Sequence, residues 1–425
     1  MMSSQNIQLA VIITVPLVTL LVTLLLATYC VYHWNCCKRR VGGADAMSIN
    51  MFNDEACPEA IITYGETLLS LIRSSEARGI TTGLPLLIQQ SLISRTEILK
   101  QIGCGTFYKL HLGRWREEQL LVKLYTSHEP LWKNETFIYQ VPLLRHDNLV
   151  TFLAAGTAGG VVGCILLQYC QPETLSEHLQ ENSLTVQQML GYITDVCRGL
   201  VHLHSELTKG SYTKPIIAHC QLTSDNVLVS CEGKCLIWNL ELAIASSVSS
   251  VHLTLPYCQY YCLSPQVLVQ VDNKLDIMCY VESDVYALGL LMWQLSKRCS
   301  LNGTFEEYEV PYMAKLCSPH PTRHDLITLV CHQHYRPEVS HRLYSHSLVL
   351  DGYLQLMMNC WQLTTPPDIP THSIEVYEQL MELAGGVVGV ATKRKTSNDT
   401  CSSCCSISDY TIETTTLPTV LETSQ

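Results

Sequence analysis

The order of the hydrophobic periodicities is the feature that most restricts how this chain can fold. From about residue 96 to residue 170, apolar and polar residues alternate in short runs, which predicts β-strands in TEILKQIGCGTFYKLHLGRW, EQLLVKLYT, LVTFLAAG and GCILLQYC. One helix is expected among them, in LWKNETFIYQVPLLRH. Farther on, apolar residues recur at helical spacing, as in VQQMLGYITDVCRGLVHLHSEL and SDVYALGLLMWQLSKRC. The sequence therefore predicts an α+β fold whose first half is rich in strands and whose second half is helical.

An uncharged apolar run near the start, residues 7–31, is long enough to cross a bilayer of about 30 Å. The basic cluster Lys38, Arg39 and Arg40 follows it, which by the positive-inside rule places the rest of the chain in the cytosol. A cleaved signal peptide is the alternative, but the run is too long and the basic cluster lies after it. We therefore expect a single-pass membrane protein of the plasma membrane or an endomembrane, with residues 32–77 as a cytosolic juxtamembrane linker that contains one helix near ETLLSLIRS.

Composition excludes some classes of partner. The net charge of -11 and the sequence pI near 5.8 argue against nucleic acid as a ligand. The 21 cysteines are scattered without a disulfide pattern, so we interpret them as reduced thiols. The Ser/Thr-rich end of the chain, residues 387–425, has few aromatic residues and is expected to be disordered.

Several stretches occur in the order typical of one family, among them TTGLPLLIQQS, IGCGTF, ETFIYQVPLLRHDNLV, KPIIAHCQLTSDNVLV and ESDVYALGLLMWQLSKRCSLNG. Over roughly residues 78–385 the chain resembles the cytoplasmic part of a type I receptor of the transforming growth factor-β (TGF-β) superfamily, which includes the activin and bone morphogenetic protein receptors. The resemblance implies a bilobal protein-kinase-like fold behind a single N-terminal transmembrane helix. Its small lobe would span residues 96–170 and its large lobe residues 171–386, preceded by a degenerate Gly-Ser-like regulatory segment at 78–95.

The resemblance also implies a nucleotide site in the small lobe. Gly103 and Gly105 match the Gly-rich turn that approaches nucleotide phosphates, with Phe107 expected at its tip. Lys123 and Glu135 match the ion pair that positions the α- and β-phosphates in kinases. A tyrosine replaces the third glycine, and its bulk argues against phosphate coverage by this turn.

The catalytic loop departs from the family pattern. Gln221 replaces the aspartate that orients the substrate hydroxyl, and an amide cannot take up that proton at neutral pH. Thr223 replaces a lysine, which removes a cation near the transferred phosphoryl group. Asn226 matches the family's metal-binding asparagine. Asn239 replaces the metal-binding aspartate and is therefore a weaker Mg²⁺ ligand. Glu241 replaces the glycine of the same motif.

Other motifs are changed as well. Gln266 replaces the glutamate of the family's Ala-Pro-Glu motif, and Asp368 stands where its arginine partner is expected, so both members of that ion pair are absent. Asp284, which tethers the catalytic loop in the family, is retained.

Regulatory residues are kept in part. Thr81 and Thr82 are the remaining acceptors in the segment that type II receptors phosphorylate, and Leu84 and Pro85 match the pair engaged by an FKBP-type immunophilin. The loop at 156–163 corresponds to the one that selects Smad proteins, but it consists mainly of Gly, Ala and Val and argues against Smad docking.

Two hypotheses for function follow from these substitutions. In the first, the chain is a membrane-anchored pseudokinase that binds type I or type II receptors and modulates signalling as a decoy or scaffold. In the second, it is an active transmembrane receptor serine/threonine kinase that transfers the ATP γ-phosphate to serines of Smad-type substrates. ATP and Mg²⁺ are the cofactors that the family implies, and the lost carboxylates argue against their efficient use. A third interpretation is an incomplete gene product whose ectodomain is encoded upstream.

Overall fold

The computed structural model describes residues 67–77, 84–127, 129–158, 162–170, 173–247, 259–270, 275–318, 321–344, 347–361 and 372–395. These residues form a strand-rich small lobe followed by a mostly helical large lobe. The bilobal arrangement expected from the order of periodicities is confirmed.

The small lobe contains helices α1 (Leu68–Ala77), α2 (Leu86–Arg95) and α3 (Glu129–Tyr139) and strands β1 (Glu97–Cys104), β2 (Tyr108–Trp115), β3 (Glu118–Tyr125), β4 (Phe152–Ala158) and β5 (Val162–Gln168). The large-lobe α-helices are α4 (Leu175–Glu181), α5 (Val186–His204), α6 (Pro265–Gln270), α7 (Ile277–Arg298), α8 (Met313–Leu316), α9 (Arg323–Leu326), α10 (Leu348–Trp361) and α11 (Ser373–Lys395). Its short strands are β6 (Glu173–Thr174), β7 (Leu207–Lys209), β8 (Tyr212–Lys214), β9 (Ile217–Ala218), β10 (Val227–Val229), β11 (Cys235–Ile237) and β12 (Ile244–Ala245). Single helical turns occur at Ser224–Asn226, Leu240–Leu242, Tyr260–Cys262, Ile327–His332 and His341–Leu343.

The five small-lobe strands form one antiparallel sheet in the order β1-β2-β3-β5-β4. Side chains on both faces of β3 are buried. Successive side chains of a strand point to opposite faces, so neighbouring residues of β3 pack into different layers. Leu120, Val122 and Leu124 face one layer, whereas Lys123 and Tyr125 face α3 and the large lobe. This alternation places a charged residue of an otherwise apolar strand in the cleft between the lobes.

Helices α1 and α2 cover the outer face of the sheet. Leu84, just before α2, is only 2% exposed and belongs to the apolar cluster that also contains Ile88, Leu92 and Trp115. The side chain of Gln89 donates to the carbonyl of Leu84 at 2.7 Å. The side chain of Leu84 thus belongs to the small-lobe core, and the match of Leu84 and Pro85 to the pair engaged by an immunophilin stays a prediction. Thr81 and Thr82 lie outside the described residues.

The large lobe is built around two long helices, α5 and α7. Thr185 caps α5 by accepting from the Gln188 amide at 3.2 Å, while the Gln188 side chain accepts from the Thr185 amide at 3.0 Å. Almost every side chain of α7 from Tyr280 to Ser296 is buried, because α7 packs against α10 on one side and α5 on another. This rigid centre supports the loop between β9 and β10.

The structure bears on two expectations about the ends of the chain, the membrane-spanning helix and the start of the disordered tail. Among the described residues, no helix combines the length and apolar character needed to cross a membrane, which corrects the prediction of a single-pass membrane protein with a transmembrane helix. The apolar run at 7–31 lies outside the described residues. Helix α11 continues to Lys395, past the boundary at residue 387 where the disordered tail was expected to begin.

Candidate active site

The ion pair of the small lobe forms as its sequence positions suggest. Lys123 and Glu135 are fully buried, and the lysine Nζ lies 2.7 Å from Glu135 Oε2. Helix α3 is held in place by the neighbouring Asn134, whose side-chain amide donates to the carbonyls of Glu241 and Ala243 at 3.0 Å. Glu135 also accepts from the backbone amide of Leu240 at 3.1 Å. The pair therefore connects the sheet, α3 and the turn at Leu240–Leu242.

A second carboxylate joins this ion pair. Glu241 Oε2 lies 3.4 Å from Lys123 Nζ, and its side chain is 11% exposed. The hydroxyl of Tyr125 donates to Glu135 and to Glu241, the latter at 3.0 Å. Burial, followed by the charge of the two carboxylates, raises the pKa of Tyr125 well above its usual value, so the phenol remains a donor. One ammonium group thus balances two carboxylates in a buried site, and burial is the main cause of a raised pKa at Glu135.

The catalytic loop is held by Asp284 of α7. Its carboxylate accepts from the amides of His219 at 2.6 Å and Cys220 at 2.9 Å and also contacts the His204 ring at 3.1 Å. These bonds hold Cys220 in the left-handed region at φ 63°. Burial lowers the pKa of His219, and the neutral ring can donate to the Trp238 carbonyl at 3.1 Å while accepting from the Gln221 amide at 3.2 Å. The loop keeps its support although its catalytic residues differ.

The polar residues of this loop hydrogen-bond to one another. The Asn239 side chain donates to Asn226 Oδ1 at 3.0 Å, and the Asn226 side chain donates to the Gln221 carbonyl at 2.8 Å. The remaining oxygen of the Asn239 side chain accepts from Lys123. Asn239 itself has φ 63°, a left-handed conformation that asparagine tolerates better than most residues.

These residues do not suit Mg²⁺. A magnesium ion needs carboxylate or carbonyl oxygens directed at one point, with near-octahedral geometry. The side-chain oxygens of Asn226 and Asn239 are instead used by an amide and by an ammonium group. Within the described residues, no group of three or more His, Cys, Asp or Glu side chains could hold a metal ion.

Gln221 and Thr223 stand at the two positions where the family carries its catalytic aspartate and lysine. The side-chain oxygen of Gln221 is buried and accepts no hydrogen bond from any described residue. Thr223 is 2% exposed and lies directly before the turn Ser224–Asn226, so no cation stands at the position of the family's lysine. The site residues are thus brought together, but the loop offers an amide and a hydroxyl where phosphoryl transfer uses a carboxylate and an ammonium group.

The Gly-rich turn between β1 and β2 packs directly against the Tyr108 side chain. The Gly105 amide donates to the Tyr108 carbonyl at 3.0 Å, and a Cβ added at Gly105 would lie 2.4 Å from the Tyr108 ring. Phe107 lies in the turn between β1 and β2, as expected, but its side chain is 6% exposed and packs in the core. The turn has no room for a longer side chain at Gly105 because the tyrosine ring lies directly beneath it.

Some predicted residues lie elsewhere. Leu84 and Pro85 are on the outer face of the small lobe, away from the cleft. Gln266 is exposed and contacts Cys279 at 3.3 Å, while Asp368 lies outside the described residues. A cavity of about 520 Å³ behind α3 is lined by Tyr139 and its neighbours, and none of the residues predicted to bind nucleotide lines it.

The role of Tyr125 was not predicted from the sequence, and Glu241 was interpreted only as the loss of a flexible glycine. The signal for Tyr125 was present, because residues two apart in a strand share a face and Lys123 lies two positions earlier. The position of Glu241 beside the same ammonium group depends on the path of the chain after β11, which no local pattern predicts.

Comparison with known proteins agrees with this geometry. A sequence model of the protein tyrosine and serine/threonine kinase family matches residues 96–367. The chain belongs to this protein kinase family and, within it, to the TGF-β and activin type I receptor group.

The similarity to individual receptors covers most of the chain. Human TGF-beta receptor type-1 is 31% identical over 365 residues, which cover 84% of this chain and 70% of the receptor. Human activin receptor type-1C is 32% identical over 366 residues, covering 83% of this chain and 72% of the receptor. Rat activin receptor type-1B is 32% identical over 317 residues, which cover 72% of this chain and 62% of the receptor.

Proposed function

We propose that this chain is a pseudokinase of the type I receptor group, which modulates receptor signalling as a decoy or scaffold without efficient phosphoryl transfer. The observation that carries the proposal is the closed hydrogen-bond chain Lys123–Asn239–Asn226–Gln221. In it, the side chains that would hold phosphate and metal bind one another, and Asn226 is tied to the backbone carbonyl of Gln221, whose own side-chain oxygen is not part of the chain of bonds. Loss of a general base alone costs about 10²- to 10⁴-fold in rate.

The proposed partners are type I or type II receptors of the same superfamily. Two features support a role in binding rather than in chemistry: the catalytic loop keeps its support from Asp284, and the Lys123–Glu135 pair keeps α3 in place. A chain that retains the kinase shape can occupy a receptor's partner without phosphorylating it.

The test is phosphoryl transfer from radiolabelled ATP by the purified 425-residue chain to itself and to casein, with Mg²⁺ and with Mn²⁺. The unaltered chain is expected to give no transfer above that of Lys123→Arg, which keeps the positive charge. Transfer that Lys123→Arg abolishes would overturn the proposal. The double variant Gln221→Asp and Asn239→Asp is the matched comparison, since it restores the base and the metal ligand.

A serine/threonine kinase with residual activity is the second candidate. It is favoured by the intact ion pair between Lys123 and Glu135 at 2.7 Å, which working kinases use to position phosphates. The same transfer assay decides between the two candidates.

A further inference from the structure

We infer that two side chains of this protein, Tyr108 and Glu241, occupy the place of a nucleotide's phosphates and keep nucleoside triphosphate out of the cleft. The inference deepens the proposed function and rests on it, because a chain that transferred phosphate would have to bind nucleotide. Nucleotide would thus be excluded by Tyr108 and Glu241, and not by the replacements at Gln221 and Asn239.

The aromatic half of this arrangement is Tyr108, the first residue of β2. Its ring centroid lies 4.0 Å from Lys123 Nζ, and its side chain is buried, with 8% of the residue exposed. The ring packs beside Tyr125, with 5.9 Å between centroids, and edge-on to Trp238 at 6.1 Å. Since a Cβ on Gly105 would meet the ring at 2.4 Å, the tyrosine fills the space between the glycine turn and the lysine. In a nucleotide-binding turn, that space receives phosphates.

The anionic half is Glu241. A lysine ammonium group has three N–H donors. Those of Lys123 face Glu135 at 2.7 Å, Glu241 at 3.4 Å and the side-chain oxygen of Asn239. The ammonium group therefore has no N–H left for a phosphate oxygen, and the carboxylate of Glu241 supplies the negative charge that a phosphate would bring.

The charge balance of the cleft opposes a nucleotide as well. Two carboxylates share one ammonium group in a buried site, and like charges at short range repel strongly where water is excluded. A triphosphate entering without a metal would add further negative charge. The side-chain oxygens of Asn226 and Asn239, which would have to bind that metal, are already used within the protein.

The experiment measures ATP binding by the full chain, with and without Mg²⁺, from thermal stabilisation and from displacement of a fluorescent ATP analogue. The unaltered chain is expected to show no saturable binding. The double variant Tyr108→Ala and Glu241→Gly is expected to show saturable binding, with a Kd at least tenfold below the highest ATP concentration at which the unaltered chain shows none. The variant Gln221→Asp and Asn239→Asp leaves both occluding side chains in place and is expected to gain no binding.

The outcomes separate this inference from the proposed function. Saturable ATP binding by the unaltered chain without phosphoryl transfer overturns the inference alone, whereas transfer by the unaltered chain overturns the proposed function. A folded Tyr108→Ala, Glu241→Gly variant that binds no ATP also overturns the inference. If that variant does not fold, as judged by a cooperative thermal transition, the single variants Tyr108→Ala and Glu241→Gln decide. Each is expected to show measurable binding, and a folded single variant without it counts against the inference.

Discussion

Two fully buried lysines in this protein have opposite surroundings. Lys123, in the cleft of the small lobe, lies against two carboxylates, an asparagine oxygen and the ring of Tyr108. Lys214, at the end of β8 in the large lobe, donates within the described part of the chain to the backbone carbonyls of Leu203 at 2.8 Å, Ser205 at 2.6 Å and Pro215 at 3.1 Å. Burial lowers the pKa of Lys214 to about 7.

The difference shows how environment decides what a buried cation does. Carbonyl dipoles only partly replace the water that Lys214 has lost, so its charge is marginal near neutral pH. At Lys123, full opposite charges replace water, and the ammonium group becomes part of a closed ion cluster. The same residue type is therefore a structural donor to backbone carbonyls in one lobe and the centre of a buried ion cluster in the other.

The largest expected effect is at the cleft lysine. Lys123→Met leaves Glu135 and Glu241 buried without a cation, which is expected to lower the free energy of unfolding by about 3–5 kcal/mol. Urea denaturation measures it. The control is Lys234→Met, which removes an ion pair with Glu232 whose side chains are 61% and 70% exposed and is worth about 0–1 kcal/mol. Equal losses for the two variants would show that the cleft cluster does not hold the lobe together.

A smaller effect is expected from the phenol that bridges the two carboxylates. Tyr125→Phe removes a hydroxyl that donates to Glu135 and Glu241, at an expected cost of about 1.5–3 kcal/mol in unfolding free energy. Tyr212→Phe is the matched control, since Tyr212 is 42% exposed and its hydroxyl can bind water in place of a protein group. Calorimetry of both variants checks the prediction, and an unchanged transition for Tyr125→Phe would contradict it.

The third expected effect appears as a dependence of stability on pH and concerns the large-lobe lysine, Lys214. Its pKa falls from 10.5 to about 7 on folding, so between these values the unfolded chain binds a proton that the folded chain does not. Stability at this site is therefore lowest below pH 7 and rises by about 1.4 kcal/mol per pH unit above it, until the pH reaches the unfolded value. Urea unfolding from pH 7 to 9 measures this slope. Lys214→Met should reduce it, and an identical slope in the variant would show that the lysine is charged in both states.

Much of the fold could be predicted from the sequence because it depends on local periodicity. The five strands of the small lobe, the helix that carries Glu135 and the helix near ETLLSLIRS all lie where alternating or helical patterns predicted them. Helix α11 continues to Lys395, past residue 387 where the tail was expected to begin, because the Ser/Thr-rich composition carries no signal for where the preceding helix ends. The burial of Leu84 was missed because the sequence does not show that α2 covers the outer face of the sheet.

The candidate site was predictable as a set of positions but not as a set of contacts. Motif order brought Lys123, Glu135, Asn226 and Asn239 into consideration, and the chemistry of an amide at Gln221 followed from residue type alone. The sequence by itself thus determined the kinase-like fold and the loss of a proton acceptor. Only the tertiary structure decided that Tyr108 and Glu241 meet at the ammonium group of Lys123. The physical reason is that Glu241 lies 118 positions from Lys123 and reaches it only because the two lobes pack together, while the Tyr108 ring meets the ammonium group through the pairing of β2 with β3.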